Sequence, residues 1–263
     1  MKIILTSILV LFFLNLTACG YLIEKKQEIS ETSVNNLFNE AKLALEKGRY
    51  DESIKLFETL ESRFPFGSYT QQAQMQIAYI YYKQNDVAQC IAAIDRFIRI
   101  HPNHPNLDYM FYLKGLANFS EKKGLFDFIS RQDPTERDPN ATKEAYNTFN
   151  ELIEKFPESI YVEDSKYRLD YLLSSMAKYE IHVANFYLNK GAYVAAVNRA
   201  KIVIKDYPNT SSVKNALKIL IKGYDLLGLK KLSNDSKRVY ELNFDTTSNK
   251  VRNDNKKSWW KFW

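Results

Sequence analysis

Two cysteines, a histidine pair and a set of clustered aromatics are the side chains here whose types and spacing suit chemistry or recognition. His101 and His104 bracket Pro102-Asn103, a spacing that invites a metal reading. The proline turn scatters the two rings and no third histidine lies nearby, so the pair reads as a solvated loop. No Gly-rich phosphate loop, nucleophile elbow or paired-histidine zinc motif occurs, so the chain shows no residue set for catalysis or for holding a metal. Two cysteines give no disulfide framework. Cys90 falls inside a helical pattern, where a buried apolar role suits it better than reactivity. That leaves Cys19 and the aromatics as the groups to be explained.

Cys19 follows Leu16-Thr17-Ala18 and closes an amino-terminal segment. In that segment Lys2 supplies a charge and Ile3 to Leu14 is apolar apart from Thr6 and Ser7. The run is shorter than the roughly 20 residues a spanning helix needs and has the proportions of a signal-peptide core. Leu16 to Cys19 resembles a bacterial lipobox. That resemblance implies cleavage of residues 1–18 and a covalent lipid on Cys19, the only cofactor-like group expected. More than one acyl chain makes a stable anchor, since each buried CH₂ contributes about 0.8 kcal/mol. Gly20, rather than Asp, after the cysteine implies the outer membrane, on its periplasmic side. An acylated linker over 19–33 would join anchor to folded body.

The body must be helical. Gly (8) and Pro (7) are too scarce among 263 residues for a loop-rich or all-β fold. One pattern recurs: Gly or Asn at zero, an aromatic or β-branched residue at two, a small one at five, apolar ones at nine and twelve, Pro at seventeen. Gly48, Tyr50, Ser53, Phe57, Leu60 and Pro65 fit it, as do Asn85, Val87, Cys90, Ile94, Phe97 and Pro102. Asn140, Thr142, Ala145, Phe149, Leu152 and Pro157 repeat it, then Gly191, Tyr193, Ala196, Ala200, Val203 and Pro208. A copy without the proline starts at Gly228. Gly or Asn ends one helix in a left-handed turn, the small residue lets two helices close, and proline stops the second. This resembles the tetratricopeptide repeat, with a period near 34 residues. It predicts an all-α solenoid of about five helix–turn–helix repeats; the glycine and proline punctuation excludes a sustained coiled coil. The third repeat keeps its first helix at about Leu107 to Phe119, then inserts an apolar loop over Ser120 to Pro139. The fourth has an enlarged first helix, about Val162 to Asn189. Beyond Phe244 the periodicity stops, predicting a disordered tail over 245–263, basic and Trp-rich.

Within that frame Phe57, Phe97 and Phe149 are core. Phe38, Tyr79 and Tyr82 fall on first helices, which line the concave face in this repeat family, and Phe66 and Tyr69 fall in or beside the loop joining two repeats. Phe66, Tyr69, Tyr79 and Tyr82 form either a client-peptide surface or more core, with the two readings equally open. The tail segment Ser258-Trp259-Trp260-Lys261-Phe262-Trp263 suits a membrane–water interface or is incidental. The net charge of +6 is mild. Part of it sits in the last fourteen residues, where Lys250, Arg252, Lys256, Lys257 and Lys261 oppose only Asp254, so nucleic acid is not an expected partner.

The runs Arg63-Phe64-Pro65-Phe66-Gly67-Ser68-Tyr69, Ile94-Asp95-Arg96-Phe97-Ile98-Arg99 and His104-Pro105-Asn106 resemble the BamD family. So do Arg137-Asp138-Pro139, Ala177-Lys178-Tyr179-Glu180 and Val197-Asn198-Arg199. That family supplies a lipoprotein of the outer-membrane β-barrel assembly machine. The resemblance runs from the lipobox to about Asn243; the Trp-rich tail departs from it. It implies a non-enzymatic scaffold. An amino-terminal half (34–157) would receive unfolded outer-membrane proteins. A carboxy-terminal half (158–244) would dock on BamA beside the other assembly-machine lipoproteins. The arginine of the Val-Asn-Arg run implies a partner contact for Arg199. Rival classes are a different periplasmic repeat lipoprotein, such as a peptidoglycan-binding adaptor, and a hydrolase without visible catalytic residues.

Overall fold

The recurring glycine and asparagine positions are where the helices turn. The computed structural model describes residues 33–120 and 140–244. Every regular element among them is an α-helix. Helix α1 covers 33–46. It is followed by α2 (Tyr50–Arg63), α3 (Ser68–Lys83), α4 (Val87–Ile100) and α5 (Leu107–Ser120). Then come α6 (Asn140–Lys155), α7 (Val162–Asn189), α8 (Tyr193–Asp206), α9 (Ser212–Leu226) and α10 (Lys230–Phe244). The long first helix of the fourth repeat has the expected bounds, and the helix expected over 107–119 runs one residue further. Cys19, the signal segment, the loop over 121–139 and the tail over 245–263 lie outside the described residues.

Gly48, Asn85, Gly191 and Gly228 all have positive φ, between 59° and 78°. Each closes the same two-bond motif. At Gly48 its own N–H donates to the Leu45 carbonyl and the next N–H, of Arg49, to that of Ala44, both at 2.9 Å. The left-handed residue reverses the chain and satisfies carbonyls the helix end leaves open. Asn140 differs: it opens α6 instead of ending a helix, because the insert separates it from α5. The left-handed turn that the pattern predicts at Asn140 is therefore not there.

Each proline lies two residues past its helix: Pro65 after Arg63, Pro102 after Ile100, Pro157 after Lys155, Pro208 after Asp206. The intervening residue is always aromatic (Phe64, His101, Phe156, Tyr207), and its N–H still donates to the carbonyl four back. A residue before proline is driven out of helical φ/ψ, so the helix ends there and the ring is turned aside. The offset-five residues Ser53, Cys90, Ala145 and Ala196 are wholly buried and Ser233 nearly so. Ser53 Oγ donates to the Ala41 carbonyl at 2.8 Å and Ser233 Oγ to that of Ile221 at 3.2 Å. The small residue thus stitches each second helix to the first. Burial pushes the Cys90 thiol up to about 12, which leaves it protonated and unreactive.

The chain divides into two compact units, one up to Leu113 and one from Lys114. The division falls inside α5, and α6 packs on α7 within the second unit. The first unit's core is built from Phe38, Phe57, Leu60, Ile77 and Ile80. In the second, α7, α8 and α9 meet through Ala177, Ala184, Ala196, Ala200 and Ala216, with Val197, Val203 and Leu220.

Candidate functional site

Phe66 is the most exposed large hydrophobic residue among the described ones, at 91%. Its loop is pinned on both sides. Phe64 N–H donates to the Leu60 carbonyl at 2.8 Å, and the Thr70 hydroxyl caps the Phe64 carbonyl. Pro65 has its φ fixed by its ring, and Gly67 adopts φ of 118°, which a side chain disfavours. The Phe66 ring is thus left outside the core on a backbone held by these contacts.

Tyr69, three residues on, is spent differently. Its ring lies 5.3 Å from that of Phe38, and its hydroxyl donates to Asn35 Oδ1 at 3.3 Å. Phe38 in turn meets Phe57 edge-on at 5.5 Å. Tyr69 therefore ties α1 to α3 at the margin of the core. Tyr79 and Tyr82 are half-buried and share a face of α3 with the buried Met75. Helical geometry places Tyr82 about 20 Å along the axis from Tyr69 and about 140° around it. The four rings are therefore not brought together: Phe66 and Tyr69 lie at the start of α3, and Tyr79 and Tyr82 towards its end on another face. Tyr81, between the latter two, packs on the core, and its phenol is raised by burial and by Glu58 and Asp86.

The histidine pair is less solvated than its loop position suggests. Both rings lie against Phe97, at 4.9 and 5.1 Å. His101 Nε2 is 2.9 Å from Gln74 Oε1, and Gln74 Nε2 donates to Glu61 at 2.9 Å. The Asn106 N–H donates to His104 Nδ1, and burial, with His101 beside it, lowers the pKa of His104. No group of three metal-ligating side chains occurs among the described residues.

Arg199, on α8, reaches back to Glu180 on α7, with Nη1 3.1 and 3.3 Å from the two carboxylate oxygens. The Glu180 side chain is 13% exposed and the Arg199 side chain 38%. The guanidinium thus serves an ion pair within the chain while keeping a face to solvent.

The sequence profile of the YfiO family, outer membrane lipoproteins, matches residues 30–239. A protein of Neisseria meningitidis serogroup B named outer membrane protein assembly factor BamD is 40% identical over 256 residues, covering 95% of this chain and 96% of its own. Proteins of the same name from Vibrio cholerae and Xylella fastidiosa (strain Temecula1) are 34% and 32% identical, covering 82% and 91% of this chain and 89% and 81% of their own. The chain belongs to this family. Members of the BamD family are assembly factors by name rather than enzymes, which agrees with a chain in which no catalytic set is legible. Family membership also associates the chain with the outer membrane. Among the described residues no helix is long and apolar enough to cross a membrane.

Two features of this family member escape sequence reasoning. One is the pairing of Arg199 with Glu180, although both fall in runs that carry the BamD resemblance. The other is the aromatic residue before each repeat proline, at offset sixteen. Phe64, His101, Phe156 and Tyr207 carry that signal in the sequence itself. Its last instance, Tyr207, has its phenol raised by burial and by the Glu180 and Asp206 carboxylates.

Proposed function

We propose that this chain is a scaffold lipoprotein of an outer-membrane β-barrel assembly machine, aiding assembly and insertion of β-barrel proteins. The observation that carries it is the identity to named assembly factors along nearly the whole chain. A diacylglycerol on Cys19 anchors the protein on the periplasmic side of the outer membrane. Residues 34–157 receive unfolded outer-membrane proteins, with Phe66 as the anchor that inserts between client side chains. Its 91% exposure on a pinned loop supports this. Tyr69, Tyr79 and Tyr82 contribute only the ring edges that packing leaves open. Residues 158–244 dock on BamA, alongside other lipoproteins of the machine, through a surface that includes the solvent face of Arg199. Such charged contacts set register and association rate more than affinity. Affinity capture of a tagged full chain from solubilised membranes tests the reading. Recovery of β-barrel proteins, lost from the Phe66→Ala variant at unchanged melting temperature, is the expected result. Recovery of cell-wall fragments in their place overturns it and makes the chain a peptidoglycan adaptor.

A further inference from the structure

The second unit carries a half-open cavity of about 380 Å³ between the start of α6, the middle of α7 and the end of α8. That volume lies in the range of ligand-binding clefts and is ample for a long side chain. Leu173 and Met176 supply an apolar wall, and Tyr146, Tyr179 and Tyr207 add three half-buried rings. Two carboxylates, Glu180 and Asp206, line it as well, with Lys143 the single basic group among the lining residues.

Asp206 is out of place by the chain's own standard. At the same offset, fifteen, the other copies carry Arg63, Ile100 and Lys155. Asp206 is the last residue of α8, where the helix dipole is negative and a carboxylate is disfavoured. It makes no ion pair among the described residues, so no local contact offsets that cost. Arg199 fixes the other carboxylate, Glu180, at 3.1 Å. Of the two carboxylates on the cavity wall, the one left without an ion pair is therefore Asp206, next to Tyr207, with the Lys143 side chain also among the lining.

We infer that this cavity is a socket for one basic side chain, arginine or lysine, on an extended segment of a partner polypeptide. Its methylene stem lies along Leu173 and Met176, its cationic head meets the tyrosine faces, and Asp206 takes the charge-assisted hydrogen bonds. An anionic ligand meets two carboxylates, and a purely apolar one leaves Asp206 without a partner. The inference concerns neither Phe66 nor the solvent face of Arg199, and it stands or falls separately from the proposed function.

Methionine methyl groups report on it directly. Of the chain's four methionines, only Met176 lines the cavity, while Met75 and Met110 are buried in the first unit. The full chain in detergent, labelled with ¹³C-methyl methionine, is titrated with N-acetyl-arginine methylamide, and in parallel with its neutral citrulline counterpart. The Met176 methyl is expected to shift saturably with the arginine probe while Met75 and Met110 stay still. The citrulline probe should bind about tenfold more weakly, as expected once cation–π and charge-assisted contacts are lost. Asp206→Asn, at an exposed helix end that tolerates it, should weaken arginine binding about three- to fivefold. Equal response to both probes, no response, movement of all three methyls, or unchanged binding in Asp206→Asn overturns the inference. A Met176 shift on deleting residues 245–263, without any probe, makes the chain's own basic tail the occupant and overturns the assignment to a partner.

Discussion

The two units write the same repeat grammar with different core residues. At offset nine the first unit places Phe57, whose ring meets Phe38 at 5.5 Å. At the same offset the last proline-terminated copy places Ala200, equally buried, among alanines of α7 and α9. Large rings hold helices together through contact area, whereas alanines let the helix backbones themselves approach. The second strategy has a geometric signature. A Cβ built on Gly223 of α9 would lie 2.6 Å from Val197 Cγ2 on α8, so any side chain there forces the valine to shift. The Phe57 crossing should therefore be sensitive to losing volume, and the Ala200 crossing to gaining it, while Phe149 gives the second unit one buried ring at offset nine as well.

Phe57→Ala is the strongest way to break the comparison. It should cost about 3–5 kcal/mol as a large-to-small change at a fully buried site. Ala200→Leu should cost about 1–3 kcal/mol by overpacking. Urea unfolding followed by helical circular dichroism measures both; equal tolerance of Ala200→Leu and a surface change would refute the close-packing account.

Gly223→Ala sharpens it to a single pair. The added methyl should destabilise by about 1–3 kcal/mol, since the neighbouring valine sits below contact distance. Combining it with Val197→Ala should restore part of the loss, a non-additivity that identifies the contact. A double variant no better than the sum of its parts places the strain elsewhere.

The turns should not distinguish the units. Gly48 and Gly191 have φ of 70° and 78° with nothing within 4 Å of an added Cβ, so alanine at either costs only backbone strain. That cost is about 1–2 kcal/mol for a left-handed non-glycine residue. Thermal melts of Gly48→Ala and Gly191→Ala should match each other, and a twofold difference would mean that the turns carry tertiary contacts.

The smallest effect is expected at Arg199. Its guanidinium is 38% exposed, so losing the ion pair to Glu180 should cost no more than about 1 kcal/mol. Arg199→Glu also sets two carboxylates together, and raised salt should narrow the gap to the parent by screening them. A melting temperature far below that of the parent at high salt would make the pair a structural keystone instead of an accessory to docking.

Much of the fold was legible in the chain itself. Helix ends depend on residues a few positions apart: Gly, Asn and Pro act through their own φ and the next hydrogen bond. Spacings of five, nine and twelve put Ser53, Phe57 and Leu60 on one face before any partner helix is known. The third copy escaped this logic because an insert separates Asn140 from the helix it was expected to end.

The site was less legible, for a reason that lies in the residues. Tyr69 and Tyr82 look alike in sequence, yet one packs on Phe38 and the other lies about 20 Å further along α3. Arg199 reads as a surface charge until α8 packs on α7 and brings Glu180 to 3.1 Å. Tyr146, Tyr179 and Tyr207 are scattered over three helices and converge only when α6, α7 and α8 assemble. The chain alone therefore determined the repeat, its punctuation and its family, because these rest on local backbone preference and periodicity. Which aromatic ring is core, which is presented and which walls a cavity was decided by tertiary structure, because burial belongs to the meeting of helices, not to the residue.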